Sequence, residues 1–285
     1  MATLYMLTET SEFMMSFVVE TEGGSLIVID GGREEDMPLL KEYTRGRHIA
    51  LWILTHPHSD HIAGLVSEMK KNGGADFDIG RICYHFPDYA AMMAVKEVPC
   101  RSYYEFDLNE MLPAFLEAEP LFRDKLYTVT QGEQLTVDEV TLDFLFTGRP
   151  GLYTNPINDY SLVFKLSTPR KSVLFLGDLG PEGGDVLYNE SRHLLKADVV
   201  QMAHHGHMNV SMEVYAAVAP EACLWCAPLW LWEEEEVPPY LADREKLQSM
   251  GRIRMYGTAV TRRWMEQLGA KTHYVTAFGT QRIEL

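Results

Sequence analysis

Cysteine is scarce in this sequence, with four residues among 285, too few for the disulfide framework of a small secreted domain. Cys223 and Cys226 have the spacing of a metal or redox motif, but they lie in an apolar run at residues 221–227 that predicts a buried strand. Alternation along such a strand directs their sulfurs to opposite faces. We therefore expect buried thiols that pack as small hydrophobic groups.

Long apolar runs and a basic leader are also absent. No stretch of the sequence is long and apolar enough to span a bilayer. The N-terminal segment, residues 1–7, carries no basic side chain and is soon followed by Glu9 and Glu12, which is unlike a signal peptide. We therefore expect a cytoplasmic protein without a membrane partner, and the 46% hydrophobic content predicts a single domain over residues 1–285.

Basic residues are outnumbered, with 25 lysines and arginines against 41 aspartates and glutamates and a formal net charge of −16. A non-specific nucleic-acid groove needs a continuous basic surface that displaces counterions. The basic clusters here are short, at residues 45–47, 70–71 and 262–263. The charge balance therefore disfavours nucleic acid and favours a small-molecule substrate with few charges.

Histidine, by contrast, is concentrated in one short segment. His56 and His58 are two residues apart and point to the same side of an extended chain, and Asp60 and His61 follow at once. Imidazole and carboxylate groups at this density are ligands for divalent metals. Such a ligand set leaves room for water, so it predicts a catalytic metal site rather than a histidine-rich surface turn.

The segment at residues 55–61, Thr-His-x-His-x-Asp-His, resembles the signature of the metallo-β-lactamase superfamily. Three further segments resemble other motifs of that family and follow in the family's order, at residues 26–32, 173–178 and 198–206. They contain, in turn, Asp-Gly-Gly, Gly-Asp and His-His-Gly. The resemblance implies an α/β fold, the four-layer αββα sandwich, in which two mixed sheets pack face to face and metals bind at one sheet edge.

Within the superfamily, the sequence most resembles the hydrolase domain of the ComEC competence proteins and their stand-alone relatives. This resemblance rests on residues 158–163, on the Gly-Asp strand and on His-His-Gly. The sequence departs from the wider pattern in two ways: no histidine lies shortly before Asp178, and His207 stands where serine usually follows His-His-Gly. Asn158 and Asp159 are the polar groups available near the missing histidine.

The resemblance implies two divalent metal ions held by residues of these motifs. His56 and His58 would bind the first ion, with Asp159 as a candidate further ligand, and Asp60 and His61 would bind the second. Zinc is the leading candidate for a histidine-rich catalytic site. A first site with fewer imidazole ligands favours a harder ion, so manganese and iron are the next candidates after zinc.

One histidine of the His-His-Gly segment, which we call the late motif, is expected to complete the ligands of the second ion. Asp178 is expected to bridge the two metals. Because adjacent residues in a strand face opposite ways, only one of His204 and His205 should ligate, and we favour His205, which abuts the glycine. The other histidine orients a carboxylate or faces the substrate as a proton donor. Asp30 is expected to fix the tautomer of a ligating histidine without binding metal.

The predicted function is metal-dependent hydrolysis, with a phosphoester or phosphodiester as the preferred substrate. A bridging water becomes hydroxide near neutral pH and attacks the ester. Asp60 and Asp178 belong to the catalytic machinery, and His204, His207 or His85 would protonate the leaving group. Two alternatives stay open: a thioester or lactone hydrolase on the same scaffold, and a non-catalytic metal-binding sensor or assembly module.

Two segments interrupt the family pattern. Residues 84–128 are rich in aromatic, methionine and acidic residues and include a helix-like stretch at 108–122. We expect them to form an insertion that lies over the opening of the metal site. Residues 228–239 combine tryptophans with four consecutive glutamates and two prolines. Exposed aromatics there would form a lid or a subunit contact in a homodimer. Alternatively, the tryptophans pack against the core while the acids stay solvated.

Local patterns also predict helices on both sides of these segments. A helix over residues 65–71 should close at Asn72-Gly73-Gly74. A second helix is predicted over residues 262–268, with strands following through residues 272–283.

Overall fold

Short apolar strands form two β-sheets in the computed structural model, which describes residues 1–234 and 257–285. The first sheet contains β1 (Thr3–Met6), β2 (Ser16–Glu20), β3 (Leu26–Asp30), β4 (His48–Ile53), β5 (Asp78–Tyr84), β6 (Leu126–Thr128) and β14 (Gln281–Glu284). The second sheet contains β7 (Gln134–Val137), β8 (Val140–Phe146), β9 (Val163–Ser167), β10 (Ser172–Phe175), β11 (Val199–Gln201), β12 (Ala222–Trp225) and β13 (Thr272–Val275). The strand orders are β14-β1-β2-β3-β4-β5-β6 and β13-β12-β11-β10-β9-β8-β7.

Each sheet is antiparallel on one side and parallel on the other. In the first sheet β3, β4, β5 and β6 run parallel, and in the second sheet β10, β11, β12 and β13 run parallel. The central parallel strand β3 is a continuous apolar run because both of its faces are buried. The prediction of two mixed sheets is confirmed.

Nine α-helices are present in the described residues, and most of them cover the outer face of one of the two sheets. They are α1 (Met37–Thr44), α2 (Ser59–Asn72), α3 (Tyr89–Met93), α4 (Arg101–Glu110), α5 (Leu112–Ala118), α6 (Pro181–Ser191), α7 (Met212–Val218), α8 (Leu229–Trp232) and α9 (Thr258–Gln267). The sheets meet at a core around Phe17 and Phe175. Helices α1 and α2 cover a second core around Trp52, and α6, α7 and α9 cover a third around Trp225. These layers form the predicted αββα sandwich.

The helices α3, α4 and α5 occupy the segment at residues 84–128, between β5 and β6. The stretch at 108–122 is broken between α4 and α5, because a proline occupies the first turn of α5. A small separate core that includes Tyr104, Leu108 and Ile157 joins these helices to the segment before β9. No helix in the described parts of the chain is long and apolar enough to cross a membrane.

The helix that follows the histidine segment is longer than the sequence predicts. Helix α2 begins at Ser59, before the predicted start at residue 65, and ends as predicted at Asn72, where Gly73 caps it with a φ of 66° that suits glycine. The apolar periodicity shows only from Ile62 onward, so the polar first turn gave no helical pattern. Asp60 and His61 therefore lie in a helical turn, where the negative charge of Asp60 is favourable.

The two closely spaced cysteines are core thiols, as predicted. Cys223 and Cys226 are fully buried and free. Cys223 lies in the core outside the second sheet, and Cys226 lies in the core between the sheets. Their side chains thus point to opposite faces, and they form neither a redox pair nor a metal site together.

The tryptophan-rich segment combines the two interpretations of its sequence. Trp232 packs against Trp225, with ring centroids 5.3 Å apart. Trp230, in contrast, is 48% exposed. The remaining acidic and proline residues, at 235–239, lie outside the described residues.

Candidate metal centre

The four motif segments meet where parallel strands end. β3 and β4 are neighbours in the first sheet, and β10 and β11 are neighbours in the second. Carboxyl ends of adjacent parallel strands lie at one sheet edge, where turns can present polar side chains together. The chain leaves these four strands through Asp30, the segment 54–61, Asp178 and the segment 202–207.

One group of side chains at this edge brings four donors within 4.8 Å of one another: Asp60, His61, Asp178 and His205. Nε2 of His205 lies 3.1 Å from Oδ2 of Asp60 and 3.3 Å from Oδ2 of Asp178. Nε2 of His61 lies 3.3 Å from Oδ1 of Asp178. We call these four residues the second group.

His56, His58 and Asp178 form the other group, which we call the first group. Nε2 of His56 lies 3.1 Å from Nδ1 of His58 and 3.7 Å from Oδ2 of Asp178. Asp178 is therefore common to both groups, in the position that its predicted bridging role requires.

The rings of His61 and His205 are each held by a hydrogen bond at Nδ1, the nitrogen that faces away from the second group. Nδ1 of His61 donates to Oδ2 of Asp30 at 2.8 Å. Nδ1 of His205 donates to the carbonyl of Cys226 at 2.8 Å. Because carboxylate and carbonyl oxygens only accept, the opposite nitrogen, Nε2, carries the lone pair that a metal can bind when the ring is neutral. Asp30 thus lies where the sequence predicted.

Opposite charges stabilise each other in this buried cluster. Burial raises the pKa of the Asp178 carboxyl, but the imidazoles around it, His61 first, outweigh burial and hold that pKa well below its usual range. Burial lowers the pKa of His205, but Asp178 and Asp60 outweigh it and raise that pKa to about 9. Burial also lowers the pKa of His58, but nearby carboxylates, Asp107 first, outweigh it and raise that pKa to about 9. A divalent ion that binds here must displace these protons.

Three buried atoms of the cluster make no well-aligned hydrogen bond, although carboxylate oxygens lie within 3.3 Å of both nitrogens: Nε2 of His61, Nε2 of His205 and Oδ1 of Asp178. Buried polar atoms are nearly always paired, and these three lie within one ligand group. A divalent cation would satisfy all of them. Imidazole nitrogens with carboxylate oxygens suit zinc and also manganese or iron, so the residues present fit a metal.

The backbone at the late motif corrects one part of the sequence analysis. β11 ends at Gln201, and residues 204–206 are not a strand but a left-handed turn, with φ of 48° at His204, 57° at His205 and 93° at Gly206. The alternation expected of a strand does not apply to such a turn, so both rings approach the cluster. Glycine is required at 206, since a Cβ there would lie 2.4 Å from the ring of Trp225.

His204 lies at the edge of the cluster without joining either ligand group. Its Nε2 is 3.9 Å from Oδ2 of Asp178 and 3.5 Å from Nδ2 of Asn158. Its Nδ1 donates to the carbonyl of Met208 at 3.2 Å. Burial lowers the pKa of His204, so a neutral ring presents the lone pair of Nε2 toward Asp178.

Asp159 is not brought into either ligand group. Its Oδ1 accepts the N–H of Gly183 at 2.9 Å, in the first turn of α6. Burial raises the pKa of this carboxyl to about 8. The 3₁₀ turn Asn158–Tyr160 places the carboxyl at that helix, where it accepts a backbone donor and lies outside both groups.

The other two histidines considered as proton donors have separate surroundings. His207 is buried, stacks on Phe13 with centroids 5.8 Å apart, and lies 4.7 Å from the ring of His204. His85 lies just after β5, where its Nδ1 donates to the carbonyl of Val129 at 2.8 Å.

Two side chains contact the site from places that the motifs did not indicate. Asp107 of α4 accepts a hydrogen bond from Nε2 of His58 at 2.9 Å, across 49 positions of the chain. Phe13, in the loop between β1 and β2, has a φ of 65° and places its ring 5.0 Å from that of His205 and 5.5 Å from that of Trp230. Neither contact has a local sequence pattern, because each depends on how distant segments pack.

Comparisons with known proteins agree with this architecture. A family model described as the metallo-beta-lactamase superfamily matches residues 14–219. The chain is similar to the metallo-beta-lactamase fold protein YhfI from Bacillus subtilis, with 12% identity and a TM-score of 0.56 over 99% of this chain and 100% of that one. It is also similar to CmlA, a diiron beta-hydroxylase from Streptomyces venezuelae, with 13% identity and a TM-score of 0.57 over 100% of this chain and 54% of CmlA. The chain thus spans little more than half of CmlA. A search of curated proteins found no match to this chain.

Proposed function

Because the chain belongs to the metallo-β-lactamase superfamily, we propose that it is a dinuclear metal-dependent hydrolase of a small phosphoester or phosphodiester. The observation that carries this proposal is the sharing of Asp178 by two ligand groups. A purely structural zinc site is closed by four protein ligands, whereas the first group offers only three and would leave a coordination position for water or substrate. An open site favours an enzyme over a sensor or an assembly module.

In this proposal the first metal site is the first group and the second metal site is the second group. His56 and His58 would hold the first ion, His61, Asp60 and His205 would hold the second, and Asp178, which belongs to both groups, would be shared. When bound, the two divalent ions lower the pKa of water and stabilise negative charge on the substrate oxygens. Zinc is the first candidate, and the smaller ligand set of the first site makes manganese or iron the next.

His204 is the residue that we assign to proton transfer. Its side chain is 13% exposed, so solvent reaches the ring, and Asn158 lies beside its Nε2. Since the Nδ1 proton is bonded to the carbonyl of Met208, a neutral His204 would accept at Nε2 the proton that the attacking water loses and would then donate it to the leaving oxygen. Asp178 lies close enough to stabilise the imidazolium between these steps.

The charge of the chain supports a small substrate rather than a nucleic acid. The net charge of −16 repels a polyanion at long range, while bound divalent ions and the imidazoles of the site would attract a single phosphoryl group. Many superfamily members have a metal-binding histidine shortly before the bridging aspartate, and the lack of one before Asp178 supports a phosphoric ester over a lactone or thioester.

Turnover measurements with zinc-loaded and manganese-loaded protein test this proposal. We expect hydrolysis of bis(4-nitrophenyl) phosphate or 4-nitrophenyl phosphate, and loss of at least a hundredfold in Asp178→Asn, because a neutral amide cannot bridge two cations. Hydrolysis of an acyl-homoserine lactone or a thioester alone would replace the proposed substrate class. Two bound metals with no turnover of any of these compounds would favour the sensor.

A further inference from the structure

Asp107 is a buried carboxylate that the helical insertion contributes to the metal centre. It lies on α4 and is only 4% exposed. Its Oδ1 accepts from Nε2 of His58 at 2.9 Å, and its Oδ2 accepts the backbone N–H of Ile157 at 2.9 Å. The two oxygens therefore join three parts of the chain: the histidine segment, the insertion and the segment before β9.

The contact with Asp107 determines which nitrogen of His58 is available to a metal. A carboxylate only accepts, so the proton of a neutral His58 ring must be on Nε2. The lone pair is then on Nδ1, which faces Nε2 of His56 at 3.1 Å. His58 is 15% exposed, so its ring would be less constrained without this partner. A carboxylate behind a ligating histidine fixes both its tautomer and its orientation.

We propose, on the basis of the dinuclear function above, that Asp107 is a positioning residue for the first metal site and that the helical insertion is therefore part of the metal centre. Asp107 contacts His58 but none of the ligands of the second site. Its loss should weaken the first site selectively. The first site also depends more on each ligand, because its group contains three residues and the second group contains four.

The packing of α4 explains how a helix of an insertion can hold a metal ligand. Tyr104 and Leu108 are fully buried in the small core that also contains Ile157, and the Tyr104 hydroxyl donates to the carbonyl of Met92 at 2.9 Å. One turn after Asp107, Glu110 accepts the N–H of Ser59 at 3.2 Å, and its other oxygen lies 3.6 Å from Nε2 of His58. Glu110 is 28% exposed, so it contributes charge near His58 without a buried hydrogen bond.

The test is a zinc titration against a chromophoric chelator for the wild type, Asp107→Asn and Asp107→Ala. An asparagine can accept from His58 or from Ile157 but not from both, because one of its two groups is a donor. We expect affinity at one of two sites to fall about 10- to 100-fold, the effect typical of a lost outer carboxylate, with the other site unchanged. Histidine nitrogen NMR of the zinc-loaded wild type should show His58 as the Nε2–H tautomer.

Two controls separate positioning from stability and from charge. Leu108→Ala weakens the core of the insertion but keeps the carboxylate, and Glu110→Gln removes a nearby charge. Neither should reproduce the selective loss. Unchanged affinities in folded Asp107→Ala, equal loss at both sites, or a His58 ring protonated at Nδ1 would overturn the role of Asp107. A wild type that binds fewer than two zinc ions would instead overturn the proposed dinuclear function.

Discussion

Asp30 and His61 form a fully buried pair in which Nδ1 of the imidazole donates to the carboxylate at 2.8 Å. Asp30 has a φ of 53° at the end of β3, a left-handed conformation that turns its side chain toward the histidine segment. The same carboxylate accepts the N–H and the hydroxyl of Thr55, at 2.8 and 2.7 Å. Three donors thus converge on one side chain that only accepts.

Replacement of Asp30 by asparagine should weaken the second metal site. The amide nitrogen is a donor and would face one of the three donors around it, so His61 would lose its fixed tautomer. We expect zinc affinity at that site to fall about 10- to 100-fold, measured by competition with a chelator. Asp138→Asn is the control, because Asp138 also has a left-handed φ, of 52°, but lies in a turn away from the site. Unchanged affinity in folded Asp30→Asn would contradict the role of Asp30.

The stability of the metal-free protein should depend on pH through His58 and His205. Burial lowers both pKa values, but nearby carboxylates raise them from 6.5 to about 9. The folded state therefore binds these protons more tightly than the unfolded state, so their stabilisation is full below pH 6.5 and is lost as the pH rises to 9. In chelator, the free energy of unfolding in urea should fall over this range.

Asp159 acts in the same direction over this range, because burial raises its pKa to about 8 and its charged form is disfavoured in the folded protein. Saturating zinc should remove the contribution of the two histidines, since metal replaces their protons. A metal-free protein that is equally stable at pH 6.5 and pH 9 would contradict the charge balance described for the cluster.

Substitution of Gly206 by alanine should destabilise the protein and disturb the late motif. The new Cβ would lie 2.4 Å from the buried ring of Trp225, and φ is 93°. Overpacking and left-handed strain together should cost about 3 kcal/mol, measured by urea unfolding. Gly24→Ala is the matched control: its φ is 85° but the space around it is open, so it should cost only about 1 kcal/mol. An equal loss of unfolding free energy in the two variants would show that the Trp225 ring moves to accommodate the methyl group, which would contradict the required close approach.

Phe13 should affect substrate binding rather than metal binding. A bulky residue with a positive φ is strained, and such strain is often found at functional sites. Its ring contacts those of His205 and Trp230 at the mouth. In Phe13→Ala we expect KM for an aryl phosphoester to rise roughly tenfold with unchanged metal content. Phe106→Ala, 69% exposed on α4, should leave KM unaltered, and metal loss in Phe13→Ala would contradict this role.

The sequence predicted the fold, and most of the side chains that lie together at one sheet edge, because its signals are local. Each of the four motifs ends a strand or begins a helix, so the order of motifs along the chain determines which turns meet at one sheet edge. His56, His61 and Asp178 could be assigned to one cluster for this reason. The opposite orientations of Cys223 and Cys226 likewise follow from strand alternation alone.

The features that the sequence did not predict depend on backbone conformation or distant packing. The left-handed turn at His204 and His205 replaces the expected strand, so the alternation rule had no basis there. Asp159 turns toward α6 because a helix start offers a free N–H group at Gly183. Asp107 reaches His58 only through the packing of the insertion, which no periodicity along the chain indicates.

The central claim, two metal ions bridged by Asp178, is tested most directly by counting metals. Protein purified without chelator would be measured by plasma mass spectrometry as the wild type, His58→Ala and Asp178→Ala. We predict close to two metals per chain in the wild type, about one in His58→Ala and the greatest loss in Asp178→Ala, because that carboxylate belongs to both groups. One metal per chain, with the same content in Asp178→Ala, would contradict the dinuclear centre.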